Sequence, residues 1–411
     1  CQPISTKRKN HLSWDDYFLA MAFLTARRSK DPNTQVGACI VSSNKAIIGL
    51  GYNGFPRGCS DNVLPWARQG SFLHKKYAYV CHAEVNAILN KCASTVAGAR
   101  LYVKDFPGNE CAKVIIQSRI SEVVYIHDSE HNNDTSKASR IMFRMAGVKM
   151  RQYTPTMDTL MLNLMENHHL DHSCHNKTAG TPTQNLPDEE SFRKIFEEEA
   201  GWCQPISTKR KNHLSWDDYF LAMAFLTARR SKDPNTQVGA CIVSSNKAII
   251  GLGYNGFPRG CSDNVLPWAR QGSFLHKKYA YVCHAEVNAI LNKCASTVAG
   301  ARLYVKDFPG NECAKVIIQS RISEVVYIHD SEHNNDTSKA SRIMFRMAGV
   351  KMRQYTPTMD TLMLNLMENH HLDHSCHNKT AGTPTQNLPD EESFRKIFEE
   401  EAGWCQPIST K

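Results

Sequence analysis

The chain has 411 residues, of which 22% are charged and 41% hydrophobic, and a formal net charge of +9. That balance belongs to a soluble globular protein rather than a disordered or fibrous one, and no apolar run approaches the roughly 18 residues of a membrane span, so no membrane partner is expected. The positive excess is modest and suits a small anionic ligand as well as it suits a nucleic acid.

The run CQPISTKRKNHLSWDDYF opens the chain at Cys1 and returns at Cys203, and the second copy repeats the first without a difference as far as Trp404. Residues 405–411 begin a third copy. A period of 202 residues lies far above the 20–50 of solenoids and near one domain plus a linker. Separate copies tolerate different surface residues, so identity this complete has no folding explanation. It points to a recent duplication, a concatenated gene or read-through of a circular template, in a chain excerpted from something longer. The expected organisation is a domain at 12–154, a tail and linker at 155–213, the same domain at 214–356, and the repeated tail with the third start at 357–411.

Within the first copy, residues 13–28 read as a helix. Ser13 followed by Asp16 resembles a capping box, and Trp14, Phe18, Met21 and Leu24 share a face. Strands follow at 36–41 and 46–52, with the polar Ser43, Asn44 and Lys45 as a hairpin turn. Residues 53–69 are rich in Gly, Pro and Asn and read as a loop long enough to suggest work. Then come a helix at 83–91, a strand at 100–104, a helix at 111–118, a strand at 122–126, a helix at 136–145 and a strand at 148–153. Strands alternating with helices predict an α/β fold with a central sheet covered on both faces and an antiparallel hairpin at one side. Beyond about residue 155 the pattern fades. Residues 176–185 read as linker, and 188–200 as a short acidic helix.

Each copy carries Cys39, Cys59, Cys81, Cys92, Cys111 and Cys174, with Cys1 at the join. A unit this large has no need of disulfides. With no secretory signal in the sequence, reduced thiols and a cytoplasmic location are expected.

Two segments carry the chemistry: Cys81-His82-Ala83-Glu84 and Pro107-Gly108-Asn109-Glu110-Cys111. Each opens a predicted helix, the position where open α/β sheets bind ligands and where a thiolate at Cys111 is stabilised. Zinc deaminases carry His-x-Glu followed by Pro-Cys-x-x-Cys. The first half matches fully, with His82 as a zinc donor and Glu84 placed to take a proton from water. The second half matches at Pro107 and Cys111, but Gly108 stands where a Cys thiolate is expected, and Gly310 repeats the departure. Catalytic zinc sites usually offer three protein ligands; here two can be counted, with Asp105 and Cys59 as candidates to supply the third. Cys81 is expected to point to another side of the helix start. Trp66 reads as packing. His168, His169, His172, Cys174 and His175 lack a finger spacing and read as a solvated tail. Arg27, Arg28 and Lys30 face a phosphate or close a helix C-terminus. Asn53 beside Gly54 suits a turn.

Over about residues 12–153, the blocks ARRSKDPNTQVGACIV, GLGYNGFPRGCSDNVLPW, KYAYVCHAEVNAILN, FPGNECAKVII and FRMAGVKMRQY resemble deoxycytidylate (dCMP) deaminases. The resemblance implies a three-layer α/β/α sandwich of the cytidine-deaminase-like type with a central mixed sheet, present twice. It implies zinc-dependent hydrolysis of dCMP to dUMP in thymidylate-precursor synthesis, with one Zn2+ per domain. His82, Cys111, His284 and Cys313 match metal ligands, Glu84 and Glu286 the proton carrier, and Asn53 and Asn255 a substrate contact. It further implies a small-molecule deoxycytidine nucleotide as partner, dCTP and dTTP as effectors at a loop near 54–61, and a homo-oligomer, the family tending to hexamers. No nucleic-acid partner is expected, because no basic run interleaved with aromatics accompanies the site. The alternative reading, from Gly108 and Gly310, is a catalytically impaired nucleotide-binding or regulatory subunit.

Overall fold

The computed structural model describes residues 7–128, 131–164, 190, 209–259, 261–330, 333 and 335–366. The His-rich tail and nearly all of the acidic stretch at 188–200 lie outside the described residues. The first copy runs α1 (Trp14–Ala26), β1 (Gly37–Val41), β2 (Ile47–Tyr52), α2 (Ala83–Leu89), β3 (Arg100–Val103), α3 (Asn109–Gln117), β4 (Glu122–Tyr125), α4 (Asp134–Met145), β5 (Lys149–Gln152) and β6 (Thr159–Asn163). The second repeats it as α5 (Trp216–Ala228), β7 (Gly239–Val243), β8 (Ile249–Tyr254), α6 (Ala285–Leu291), β9 (Arg302–Asp307), α7 (Asn311–Gln319), β10 (Glu324–His329), α8 (Asp336–Met347), β11 (Lys351–Gln354) and β12 (Thr361–Asn365). No helix among the described residues is long and apolar enough to cross a membrane.

Each copy builds a five-stranded sheet in the order β2-β1-β3-β4-β5. β1 runs antiparallel to both β2 and β3, while β3, β4 and β5 are parallel, so the sheet is mixed. α1 starts where Ser13 accepts the Asp16 N–H and donates its hydroxyl to the Asp16 carboxylate, a reciprocal cap. It covers one face of the sheet, with Phe18, Met21 and Leu24 buried. On the other face α2, α3 and α4 pack through Ala83, Ala87, Ala112, Ile115 and Phe143 against Ala38, Ile40, Leu101 and Val123. The result is a helix layer, a sheet layer and a second helix layer.

Glycines set the distance between two of these layers. A Cβ built on Gly51 would lie 2.2 Å from the Ala87 N and 2.3 Å from the Ala83 O, so β2 and α2 touch backbone to backbone. Only glycine permits that approach.

The two copies share a core. α1 packs on α5, and β6 pairs antiparallel with β12 in the register Met161↔Met363. Leu160, Leu162 and Leu164 of one copy and Leu362, Leu364 and Leu366 of the other are buried in a single cluster with both first helices. The contacts are reciprocal: the Tyr17 and Thr227 hydroxyls are 3.1 Å apart, and so are those of Tyr219 and Thr25. β6 escaped the sequence reading because its strand partner is the same segment of the other copy. The expectation of reduced thiols throughout is also corrected, since Cys92 and Cys294 form a disulfide with Cα atoms 6.0 Å apart. Symmetry is the cause: a residue near the axis relating two copies meets its own equivalent, which no spacing within one copy reveals. Among the described residues the other eight cysteines are free.

Candidate active site

α2 and α3 begin side by side at one end of the sheet and bring the two sequence segments together. His82 is the N-cap of α2, and Glu84 lies in its first turn; Gly108 is the N-cap of α3, which carries Cys111. The His82 Nδ1 is 3.1 Å from the Cys111 Sγ, and one ligand atom from each of His82, Glu84 and Cys111 falls within 4.8 Å of the others. His284, Glu286 and Cys313 repeat the cluster, with 3.2 Å between His284 Nδ1 and Cys313 Sγ. Glu84 is 6% exposed and Cys111 1%, whereas His82 faces the open side.

The electrostatics of the cluster are unusual. Burial, and then the neighbouring Glu84 carboxylate, push the Cys111 thiol far above its ordinary value; Cys313 is pushed the same way by burial and Glu286. A buried sulfur next to a carboxylate stays protonated unless a cation joins them. In the second copy the thiol accordingly donates to the Glu286 Oε2 at 3.6 Å. Imidazole, thiolate and carboxylate at this spacing are a donor set for zinc.

The set is one ligand short of a catalytic zinc site that keeps its Glu free, and the zinc-deaminase pattern puts the missing Cys at Gly108. Gly108 has φ −71° and ψ 171°, ordinary for any L-residue. A Cβ built there meets nothing within 4 Å, so a side chain at this N-cap would enter open space. The suggested substitutes are not in the cluster among the described residues. Cys59 is exposed, and neither it nor Asp105 joins His82, Glu84 and Cys111.

Asn53 sits at the end of β2, buried and heavily engaged. Its Oδ1 accepts the Val36 N–H at 2.9 Å, and its Nδ2 donates to Thr34 O at 2.9 Å and to Asp31 Oδ2 at 3.1 Å. Both amide hydrogens are spent, and one Oδ1 lone pair remains. Asp31 also takes the Lys76 ammonium at 2.5 Å, in a pair whose side chains are 1% and 6% exposed. That pair pins the long loop after β2 to the turn after α1. Sequence reading missed it: Lys75-Lys76 looks like a solvated dipeptide, and the one available signal is the Asp-Pro-Asn-Thr turn at 31–34. Gly54, next to Asn53, exchanges both backbone bonds with Cys81, the residue before His82. Trp66 is buried and packs on Phe55 as a tilted ring pair at 4.0 Å between centroids, as the packing reading expects. Arg28 and Arg27 face the other copy: Arg28 lies 3.9 Å over the Trp216 ring, and Arg27 donates to Met363 O at 2.9 Å. Lys30 pairs with Asp61.

Comparison with known proteins adds three findings. The family model for the cytidine and deoxycytidylate deaminase zinc-binding region matches residues 12–127 and again 214–329. A deoxycytidylate deaminase of Homo sapiens is 53% identical over 158 residues, covering 38% of this chain and 89% of that protein; a probable deoxycytidylate deaminase of Drosophila melanogaster is 50% identical over 167 residues, covering 39% and 82%. Among solved structures, the dCMP deaminase from the cyanophage S-TIM5 in complex with dCMP and dUMP is 23% identical, covers 33% of this chain and 93% of that one, and has a TM-score of 0.28.

Proposed function

The chain belongs to the cytidine and deoxycytidylate deaminase family, whose zinc-binding region it contains twice, and from that premise we propose that each repeat hydrolyses dCMP to dUMP and ammonia. The names of the relatives that it matches over most of their length support the substrate. The observation that carries the chemistry is the meeting of His82, Glu84 and Cys111 within 4.8 Å, repeated at His284, Glu286 and Cys313.

His82 and Cys111 would hold the zinc, and His284 with Cys313 in the second repeat. Zinc bound there supplies Lewis-acid activation of a water. Glu84 is the proton carrier: a buried carboxylate beside the donors, it accepts a proton from the water and passes protons to the base. The new C4–O bond replaces the C4–N bond; one water proton ends on ring N3 and the other leaves in ammonia. Asn53, through its remaining Oδ1 lone pair, is the proposed substrate contact, and Asn255 has the same role in the second repeat. The loop at 54–61 is the proposed seat of dCTP and dTTP as effectors, and a homo-oligomer of linked pairs is the proposed assembly.

Gly108 and Gly310 favour a second reading, a nucleotide-binding subunit with weak or no turnover, because loss of a ligand loosens the metal by more than the 10–100-fold of an outer-shell loss. The test is ammonia release from dCMP with zinc in excess, for the natural chain and for Glu84→Gln, Glu286→Gln. Turnover that falls by about 10³-fold in the variant, within the range of acid–base catalysis, supports the enzyme. dCMP binding without ammonia release supports the second reading.

A further inference from the structure

The site of each repeat hangs from the turn that follows α1, and the outer side of that turn is held by the other repeat. On the inner side, Ser29 donates to Asn53 O at 2.9 Å, and Asp31 grips the Asn53 amide and Lys76. Asn53 leads to Gly54, which is bonded to Cys81, and Cys81 leads to His82. On the outer side, the Leu24, Thr25 and Ala26 carbonyls at the end of α1 accept from Arg27, Arg28 and Ser29, which leaves the carbonyls of the turn beyond it, at Arg27, Ser29 and Lys30, to find partners elsewhere. The segment before α5 takes them. Arg210 donates its backbone N–H to Lys30 O at 2.7 Å and its guanidinium to Ser29 O at 3.2 Å and Arg27 O at 3.3 Å. Leu214 N–H reaches Arg27 O at 3.1 Å, and Arg28 returns a bond to Leu214 O. The reciprocal set is complete: Arg8 donates to Lys232 O at 2.8 Å through its backbone, and to Ser231 O at 3.2 Å and Arg229 O at 3.4 Å through its side chain.

We propose that these arms act in trans: Arg210 is a positioning residue for the site of the first repeat, and Arg8 for that of the second. A guanidinium suits the task because its planar donors span neighbouring carbonyls that a side chain with one donor leaves bare. The consequence is that neither site is fully set by its own 202 residues, and that a repeat needs a second copy, linked or separate, to fix its Asn53 and His82.

Identical repeats in one chain allow a clean test. On a full-length His284→Ala background, the second repeat loses a proposed donor, so turnover of dCMP belongs to the first, and the peptide carrying Cys283 gains a distinguishable mass. Arg210→Ala is then compared with Arg8→Ala. The two remove the same bonds at equivalent places, so a general loss of stability moves both alike. Arg210→Ala is expected to speed amide hydrogen exchange in the peptide carrying Cys81 by about tenfold, the worth of one hydrogen bond. It should also raise the KM for dCMP several-fold with kcat nearly unchanged, and Arg210→Lys should restore part of both. Arg8→Ala is expected to leave that peptide and that KM as they were and to speed exchange in the peptide carrying Cys283. Equal effects of the two variants on the first repeat, or a larger effect of Arg8→Ala, would overturn the proposal. The kinetic arm rests on the deamination reading; without turnover that reading fails while the exchange arm still decides this one.

Discussion

The starts of α2 and α3 face each other across the site on nearly the same backbone. His82 caps α2 at φ −71° and ψ 156°, Gly108 caps α3 at φ −71° and ψ 171°, and neither makes a side-chain capping bond. Yet the backbone behind the α2 start is packed tightly, while the N-cap of α3 borders open space. Backbone atoms of α2 press on Gly51, Asn86 donates to Tyr52 O at 2.8 Å, and the strand end is pinned by Asp31 and Lys76. At Gly108 a Cβ would meet nothing. The difference teaches that the frame of a metal site and its ligand set are separable. Packing holds the frame, whereas a ligand side chain projecting into open space contributes little to the fold, and its loss leaves the backbone as it was.

The comparison breaks most severely at the one imidazole. His82→Ala with His284→Ala should lower zinc affinity by well over 100-fold, beyond the range of outer-shell losses, read by competition with a chelator; unchanged affinity would remove His82 from the site. A pair of glycine substitutions sharpens it further. Gly51→Ala drives a methyl into the α2 backbone and should cost about 2 kcal/mol or more in denaturant unfolding, as overpacking does, while disturbing His82. Gly108→Ala meets no atom and an ordinary φ, so it should cost no more than about 1 kcal/mol, the difference between Gly and Ala at an N-cap. Equal costs at the two positions would contradict the contrast between the packed Gly51 and the open Gly108.

Much of this was legible in sequence because it is local. The Ser13–Asp16 cap, the alternation of strands and helices, and the Gly-Tyr-Asn-Gly end of β2 announce themselves within a few residues. His82 and Glu84 were readable because one helix start fixes their spacing. Cys111 was readable through Pro107 and the helix behind it, although α3 begins at Asn109, two residues before the expected start. What stayed hidden depends on distant partners. Asn53 reads as a turn residue or a ligand, and only the fold shows it clasping Val36, Thr34 and Asp31. Lys76 is buried because Asp31 waits for it 45 positions away. β6, the Cys92–Cys294 bond and the Arg8 and Arg210 arms exist only between copies, where a periodic sequence says the same thing twice and cannot say that the two halves touch.

Zinc content together with ammonia release from dCMP, for the natural chain and for Gly108→Cys, Gly310→Cys, decides between a working enzyme and an inherited frame. If each repeat is a deaminase, the natural chain turns over dCMP when zinc is in excess. The variant, its thiol entering open space on unstrained backbone, should bind zinc at least about 100-fold more tightly and turn over faster without losing stability. A natural chain that binds dCMP but releases no ammonia at any zinc concentration, beside a variant that does, would contradict the enzymatic reading and leave only the inherited frame.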